Sequence, residues 1–353
     1  MAHPITENRP VALWLFACCA LVLAMIVLGG VTRLTGSGLS IVEWDPIMGT
    51  IPPLSDSEWV STFEKYKQFP EYQKKNIGMS LEGFKMIFWF EYSHRLLGRL
   101  IGAAFLIPFL IFLFLRRIDR ALIPKLIAMF ILGGLQGVLG WYMVMSGLVH
   151  DPHVSQYRLT AHLSAAVIIY SYMLWTALDL WFVREGYGGE GRAHPRRRFA
   201  LFVTAFIFLT LLSGGFVAGL KAGYSYNTFP KMGDSWVAPG IMVLEPAWRN
   251  LFENAATVQF DHRILAITTL ILVFALWVSS VGKALAPRAR LGLHLLLFAA
   301  LAQVTLGIST LILRVPTTLA ATHQAGAVVL LTAALFLTHA LYRTRPPLFT
   351  AQR

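Results

Sequence analysis

Charged side chains are scarce in this chain: 14% of its 353 residues are Asp, Glu, Lys or Arg, while 56% are hydrophobic. Soluble globular domains carry about a quarter charged residues, so that class is excluded. Cysteine is scarcer, with only Cys18 and Cys19, side by side. Neighbours on a helix point roughly 100° apart, which excludes a structural disulfide or a metal held by this pair. They read as small buried apolar residues. Acidic residues are outnumbered, 18 against 30 basic ones, for a net charge of +12. A surplus of that size raises the question of nucleic acid, and the positions of the basic residues answer it.

What stands in place of charge is a series of long apolar runs. A membrane-spanning helix needs roughly 20 largely apolar residues, and eight stretches qualify: 11–30, 86–115, 122–146, 159–183, 199–220, 256–280, 289–313 and 318–342. The fold class expected is all-α, a polytopic membrane protein with eight transmembrane helices. Gly29-Gly30-Val31-Thr32-Arg33 follows the first run without an A-x-A cleavage site, and the run is long enough to span, so it reads as a helix. The segment before it is too short and too weakly basic for a mitochondrial transit peptide, which points to a bacterial inner (cytoplasmic) membrane. The basic residues gather in alternate connections: Arg116, Arg117, Arg120 and Lys125; Arg184, Arg192, Arg196, Arg197 and Arg198; Lys283, Arg288 and Arg290; and Arg343, Arg345 and Arg353 in the tail. The third and seventh connections hold only Arg158 and Arg314. By the positive-inside rule both termini are cytoplasmic. The charge surplus is topology, and no nucleic-acid partner is expected.

The chain repeats itself. Glu91-Tyr92-Ser93-His94-Arg95-Leu96-Leu97 aligns with Gln259-Phe260-Asp261-His262-Arg263-Ile264-Leu265, sharing an aromatic, a His-Arg pair and the aliphatics that follow. The stretch from Leu132 to Gly140 loosely matches that from Leu301 to Gly307, Leu159-Thr160-Ala161-His162 answers Ala320-Ala321-Thr322-His323, and Gly29-Gly30 answers Gly214-Gly215. Two pseudo-symmetric four-helix bundles account for this. The N-terminal half is 1–183 with a long outer loop at 32–85; the C-terminal half is 184–353, joined through the basic linker 184–198.

His94, His162, His262 and His323 fall near the outer ends of their runs, at similar depth. A single intramembrane His is ordinarily a packed, hydrogen-bonded residue. Four of them, paired by half and level in depth, are what two bis-imidazole haem sites require. Imidazole nitrogen is a good axial ligand for iron, and the macrocycle suits an apolar interior. Arg95 and Arg263, beside their His, are candidates for propionate contacts; the competing reading is snorkelling to the outer surface. His294 and His339 have no counterparts in the first half and read as core or interface residues. His150-Asp151-Pro152-His153 has too few ligands for a metal site.

The halves differ at Glu91 and Gln259, each three residues before a His and so on its helix face. A carboxyl at that depth needs a partner or a task. An ion pair with Arg95 or Arg99 is one reading. The other sets Glu91 beside a haem, handling protons or a cationic intermediate, which makes the first half catalytic and leaves a resident haem in the second. In the long outer loop, Ser55-Asp56-Ser57-Glu58 reads as a capping box for a short surface helix with Trp59, Phe63 and Tyr66 on one side. The counterpart loop, 221–254, is shorter and carries Tyr226-Asn227-Thr228-Phe229-Pro230.

Gly36-Ser37-Gly38-Leu39-Ser40, Ile51-Pro52-Pro53, Phe63-Glu64-Lys65-Tyr66-Lys67-Gln68-Phe69-Pro70-Glu71-Tyr72, Ser155-Gln156-Tyr157-Arg158-Leu159, the Tyr226 motif and the two His-Arg motifs together resemble the haem A synthase family in its alphaproteobacterial and mitochondrial form, over nearly the whole chain. The resemblance implies oxidation of the C8 methyl of haem O to a formyl group by two successive hydroxylations, giving haem A for cytochrome oxidase. It implies that His262 and His323 are axial ligands of a haem b cofactor, that His94 and His162 hold the substrate haem O, and that Glu91 is essential beside it. The partners expected are haem O synthase as supplier, an electron donor, membrane lipid and further copies of the chain. Some members carry a cysteine pair in the outer loops; this chain has none there, which excludes thiol chemistry at that place. The competing class is a dihaem b-type electron-transfer cytochrome, which needs the four His but neither Glu91 nor a long first loop. A transporter with repeated halves would set its ionisable groups at the midplane, whereas these lie towards the outer ends.

Overall fold

The structure, a computed structural model, describes residues 8–43, 48–149, 151–182 and 194–342. They form eleven α-helices: α1 (Asn8–Leu34), α2 (Asp56–Lys67), α3 (Pro70–Lys74), α4 (Leu81–Phe114), α5 (Ile123–Leu148), α6 (Gln156–Trp181), α7 (Arg197–Gly219), α8 (Asn250–Glu253), α9 (Ala255–Ser280), α10 (Pro287–Ile312) and α11 (Thr317–Tyr342). Among the described residues the only strand-like pairing is a single bridge between Met232 and Ser235. All of these helices except α2, α3 and α8 are long and apolar enough to cross a membrane, which makes eight spans as expected.

The ends differ from the hydropathy reading where local hydrogen bonding extends a helix. Ser80 caps α4, its Oγ accepting the Gly83 N–H at 3.1 Å, so this helix starts at Leu81 rather than 86. α1 runs on to Leu34, and the outer segment is therefore 35–80.

α1 packs against α4 and α6, and α5 against α6; in the other set α7 packs against α9 and α11, and α10 against α11. The two sets meet along α6 with α7, α1 with α11, and α6 with α11. Because lipid is as apolar as Leu, helices in a bilayer associate through close packing and hydrogen bonds. Fully enclosed Ala12, Ala177, Ala289 and Ala340 permit that approach. Cys18 and Cys19 are buried and unbonded to each other. Burial is uneven: 61% of the most apolar window of α11 lies inside the protein and 44% of that of α6, against 6% for α5. So α6 and α11 form the axis, and α5 stands at the periphery.

Candidate functional site

Each of the four paired histidines faces a glycine on a neighbouring helix. A Cβ at Gly29 of α1 would stand 2.9 Å from His94 Nε2, and one at Gly140 of α5 would stand 2.9 Å from His162 Cε1. In the second half a Cβ at Gly214 of α7 would lie 3.2 Å from His262 Cε1, and one at Gly307 of α10 would lie 2.9 Å from His323 Cε1. The same helix pairs serve in both halves, so the repeat read from sequence extends to how the rings are seated. His94 and His162 are within electrostatic reach of each other, as are His262 and His323.

The surroundings orient these rings. Gln136 Nε2 donates to the His162 carbonyl at 2.7 Å and sits 3.1 Å from its Nδ1; Gln303 Nε2 donates to the His323 carbonyl at 2.9 Å. Ser213 Oγ lies 2.7 Å from His262 Nδ1. His323 Nδ1 is enclosed and has no hydrogen-bond partner, an arrangement that costs free energy unless something else occupies the site. Among the described residues no three His, Cys, Asp or Glu side chains converge on a point. Paired imidazoles with glycine-cleared flanks therefore fit an iron held in a macrocycle rather than a free ion.

Glu91 is 3% exposed and its carboxylate is surrounded by donors. Oε2 accepts from Ser40 Oγ and from the Ile41 N–H, both at 2.8 Å, while Oε1 accepts from Arg95 Nη2 at 2.6 Å and Nε at 3.1 Å. Arg95 also donates to the Ile41 and Glu43 carbonyls. The ion pair with Arg95 is thus present, one helical turn from His94, and it fastens the outer loop onto α4. Its guanidinium is engaged with the protein rather than turned to solvent. The second half repeats the clamp without the charge: Gln259, also 3% exposed, donates to the Tyr226 carbonyl at 3.0 Å. Arg263 donates to the carbonyls of Tyr226, Thr228 and Lys231.

The outer segment closes over this end of the first half. Ser55 and Glu58 form the expected capping box of α2, and Trp59, Phe63 and Tyr66 are buried. They pack on α4 rather than on a lipid surface, with Trp59 and Phe88 rings 4.9 Å apart, Phe63 and Phe84 5.0 Å, and Tyr66 and Phe84 5.1 Å. Leu39 lies against Gly147 of α5. Glu71 of α3 accepts from Tyr66 Oη at 3.2 Å, and burial pushes its carboxyl up to about 7, with the Tyr66 hydrogen bond opposing the shift.

A family profile described as cytochrome oxidase assembly protein matches residues 12–335. The chain belongs to this family. Among curated members, the heme A synthase of Nitrosospira multiformis is 57% identical over 336 residues, covering 95% of this chain and 94% of the relative. That of Paramagnetospirillum magneticum is 49% identical over 346 residues, covering 95% of both chains. The human heme A synthase is 46% identical over 342 residues, 95% of this chain and 83% of the relative. The cytochrome oxidase assembly family thus spans both halves and both His pairs.

Residues outside the paired set fall elsewhere. His339 is buried against Asp179, 3.0 Å away, and joins the two halves. His294 is exposed, not core, and accepts from Trp277 Nε1 at 3.1 Å. His150 lies outside the described residues, and His153 is exposed. Sequence reasoning missed the roles of Gln136, Gln303, Ser40 and Ser213. A signal existed for the first two: a Gln four residues before the His-facing glycine in both halves.

Proposed function

We propose that this protein is a haem A synthase of a bacterial inner membrane, oxidising the C8 methyl of haem O to a formyl group through two successive hydroxylations. The observation that carries the reading is the pair of matching glycine-backed His sites of which only one has a carboxylate a helical turn away. A dihaem electron-transfer cytochrome has no use for that inequality. His262 and His323 would hold a haem b, whose iron supplies one-electron redox chemistry when bound. His94 and His162 would hold the substrate, haem O.

The chain's own residues do the rest. The glycines let each imidazole sit close against the neighbouring helix, and Gln136 fixes the direction of His162. The segment 35–80 and its aromatic cluster exclude water above α4. Glu91 and Arg95 set a fixed negative and a fixed positive group at the outer end. The carboxylate is positioned to offset positive charge as the methyl carbon is oxidised and to accept a proton released there. Each hydroxylation is a two-electron oxidation that inserts one oxygen atom, from dioxygen with two electrons from a donor or from water with two electrons passed to an acceptor. The geminal diol formed loses water to give the formyl group. Haem O synthase is the expected supplier of substrate.

Pigment extraction and mass analysis of the protein, purified from cells that make haem O, tests the reading. Haem b is expected together with haem O, its hydroxylated form or haem A, and His262→Ala is expected to lose the haem b. Two equivalent copies of haem b alone would overturn the synthase assignment in favour of an electron-transfer cytochrome.

A further inference from the structure

The halves are locked in register by contacts and not only by similarity. Gln136 and Gln303 donate to the carbonyls of His162 and His323, and Gly140 and Gly307 underlie those rings. That register equates Gly133 with Ala300 and Gly137 with Val304. On α4 and α9, the pairs His94 with His262 and Arg95 with Arg263 equate Gly102 with Leu270. In the second half these positions are filled: Ala300 is 2% exposed, and Leu270 packs against the core. In the first half an added Cβ at Gly102, Gly133 or Gly137 would meet no atom within 4 Å.

The empty positions share a place. Phe105 of α4 stacks on Phe130 of α5, centroids 6.2 Å apart at 18°, so these are the faces on which the two helices meet. Gly102 lies one turn outward of Phe105, and Gly133, Gly137 and Gly140 follow Phe130 at helical spacing along the same face of α5. A groove therefore runs between α4 and α5 for about 15 Å, from the Phe105–Phe130 stack to the ring of His162. Beside it the enclosed Oε1 of Gln136 has no hydrogen-bond partner. No residue of α5 from 130 to 146 is buried, whereas in the matching stretch of α10 Ala300 and Thr310 are.

We propose that this groove receives the long isoprenoid chain by which haem O differs from haem b, and admits it from the lipid between α4 and α5. The proposal rests on the first half being the substrate site and explains how the halves tell the two haems apart. In the second half Leu270, Ala300 and Val304 set side chains at the corresponding positions, where such a chain would meet them. The groove is lined by Gly102, Gly133 and Gly137, with the Phe105 and Phe130 rings at one end and the His162 ring at the other, a length and chemistry that suit an isoprenoid.

The test gives the first half the residues of the second: Gly102→Leu, and Gly133→Ala combined with Gly137→Val. An added Cβ meets nothing at any of these sites, and the haem b content of each variant reports whether the fold is kept. Proteins purified from haem O-producing cells are compared by pigment extraction and mass analysis. Haem b per protein is expected to stay at the wild-type level while haem O and haem A fall by about tenfold or more. Haem b added in excess, lacking the chain, should still give a second low-spin bis-imidazole signal by electron paramagnetic resonance. Variants that retain isoprenoid haem at the wild-type level, or lose the second signal as well, overturn the groove assignment. A wild type that carries haem b alone overturns the functional reading and this one with it.

Discussion

Glu91 carries two burdens, one structural and one chemical, and a substitution can separate them. Glu91→Gln keeps the shape but turns an amide NH₂ toward groups that are all donors: Ser40 Oγ, the Ile41 N–H and Arg95. Losing those acceptor contacts should cost about 1–3 kcal/mol at the loop. We expect haem b to remain bound while haem A formation is abolished. Full activity in this variant would remove Glu91 from the chemistry and leave it as a loop fastener, the role Gln259 already plays opposite. Glu71 makes a separate prediction about pH. Its folded value of about 7 lies above the ordinary 4.5, so in that window the folded protein binds more protons than the unfolded one. Stability contributed at this site is accordingly greatest below the window and is lost as pH rises through it. The thermal midpoint in detergent should decline across that range, and Glu71→Gln should flatten the decline. An unchanged slope would mean that Glu71 does not govern it.

At the scale of helices, the four His–Gly contacts make the half assignments separable. Alanine at Gly307 would drive a Cβ to 2.9 Å from His323, and alanine at Gly140 would do the same to His162. Real Cβ atoms do not approach so closely, and the ring must turn from its seat. Gly307→Ala should lower haem b content severalfold, read by absorbance of the extracted pigment. Gly140→Ala should spare haem b and lower only the second pigment. Equal loss from both variants would argue that the halves do not divide the haems. The helices themselves were legible from their apolar runs, and α2 from its Ser55 and Glu58 pair, because such signals sit within a single turn or span. Where α2 packs was not legible. The hydrophobic stripe of Trp59, Phe63 and Tyr66 suits a lipid surface as well as a protein one, and only the opposing Phe84 and Phe88 decide between them.

At the scale of the whole molecule, the halves are tied at several depths. Tyr157 Oη donates to Glu253 at 3.0 Å, Arg33 Nη1 to the Ala218 carbonyl at 2.8 Å and Gln324 Nε2 to the Ile26 carbonyl at 2.7 Å. Tyr170 and Thr332 hydroxyls meet at 2.7 Å, and His339 meets Asp179. His339→Leu removes the last of these links and leaves Asp179 without its imidazole. A loss of about 1–3 kcal/mol is expected, seen as a lower thermal midpoint with both haem pairs spectroscopically unchanged. A variant with altered haem spectra would instead connect this distant pair to the sites. Sequence alone determined the eight spans, the twofold repeat, the four histidines and the inequality of Glu91 and Gln259, because each is written in composition, in helical spacing or in position-by-position likeness. Only the tertiary structure decided that Glu91 is held by a loop some fifty residues upstream, that glycines lie against the histidines, and that α5 is left uncovered along 130–146 while the matching stretch of α10 is buried at Ala300 and Thr310. Those facts depend on how helices rotate and approach one another in an apolar solvent, where close fit rather than hydrophobic pattern selects the neighbour.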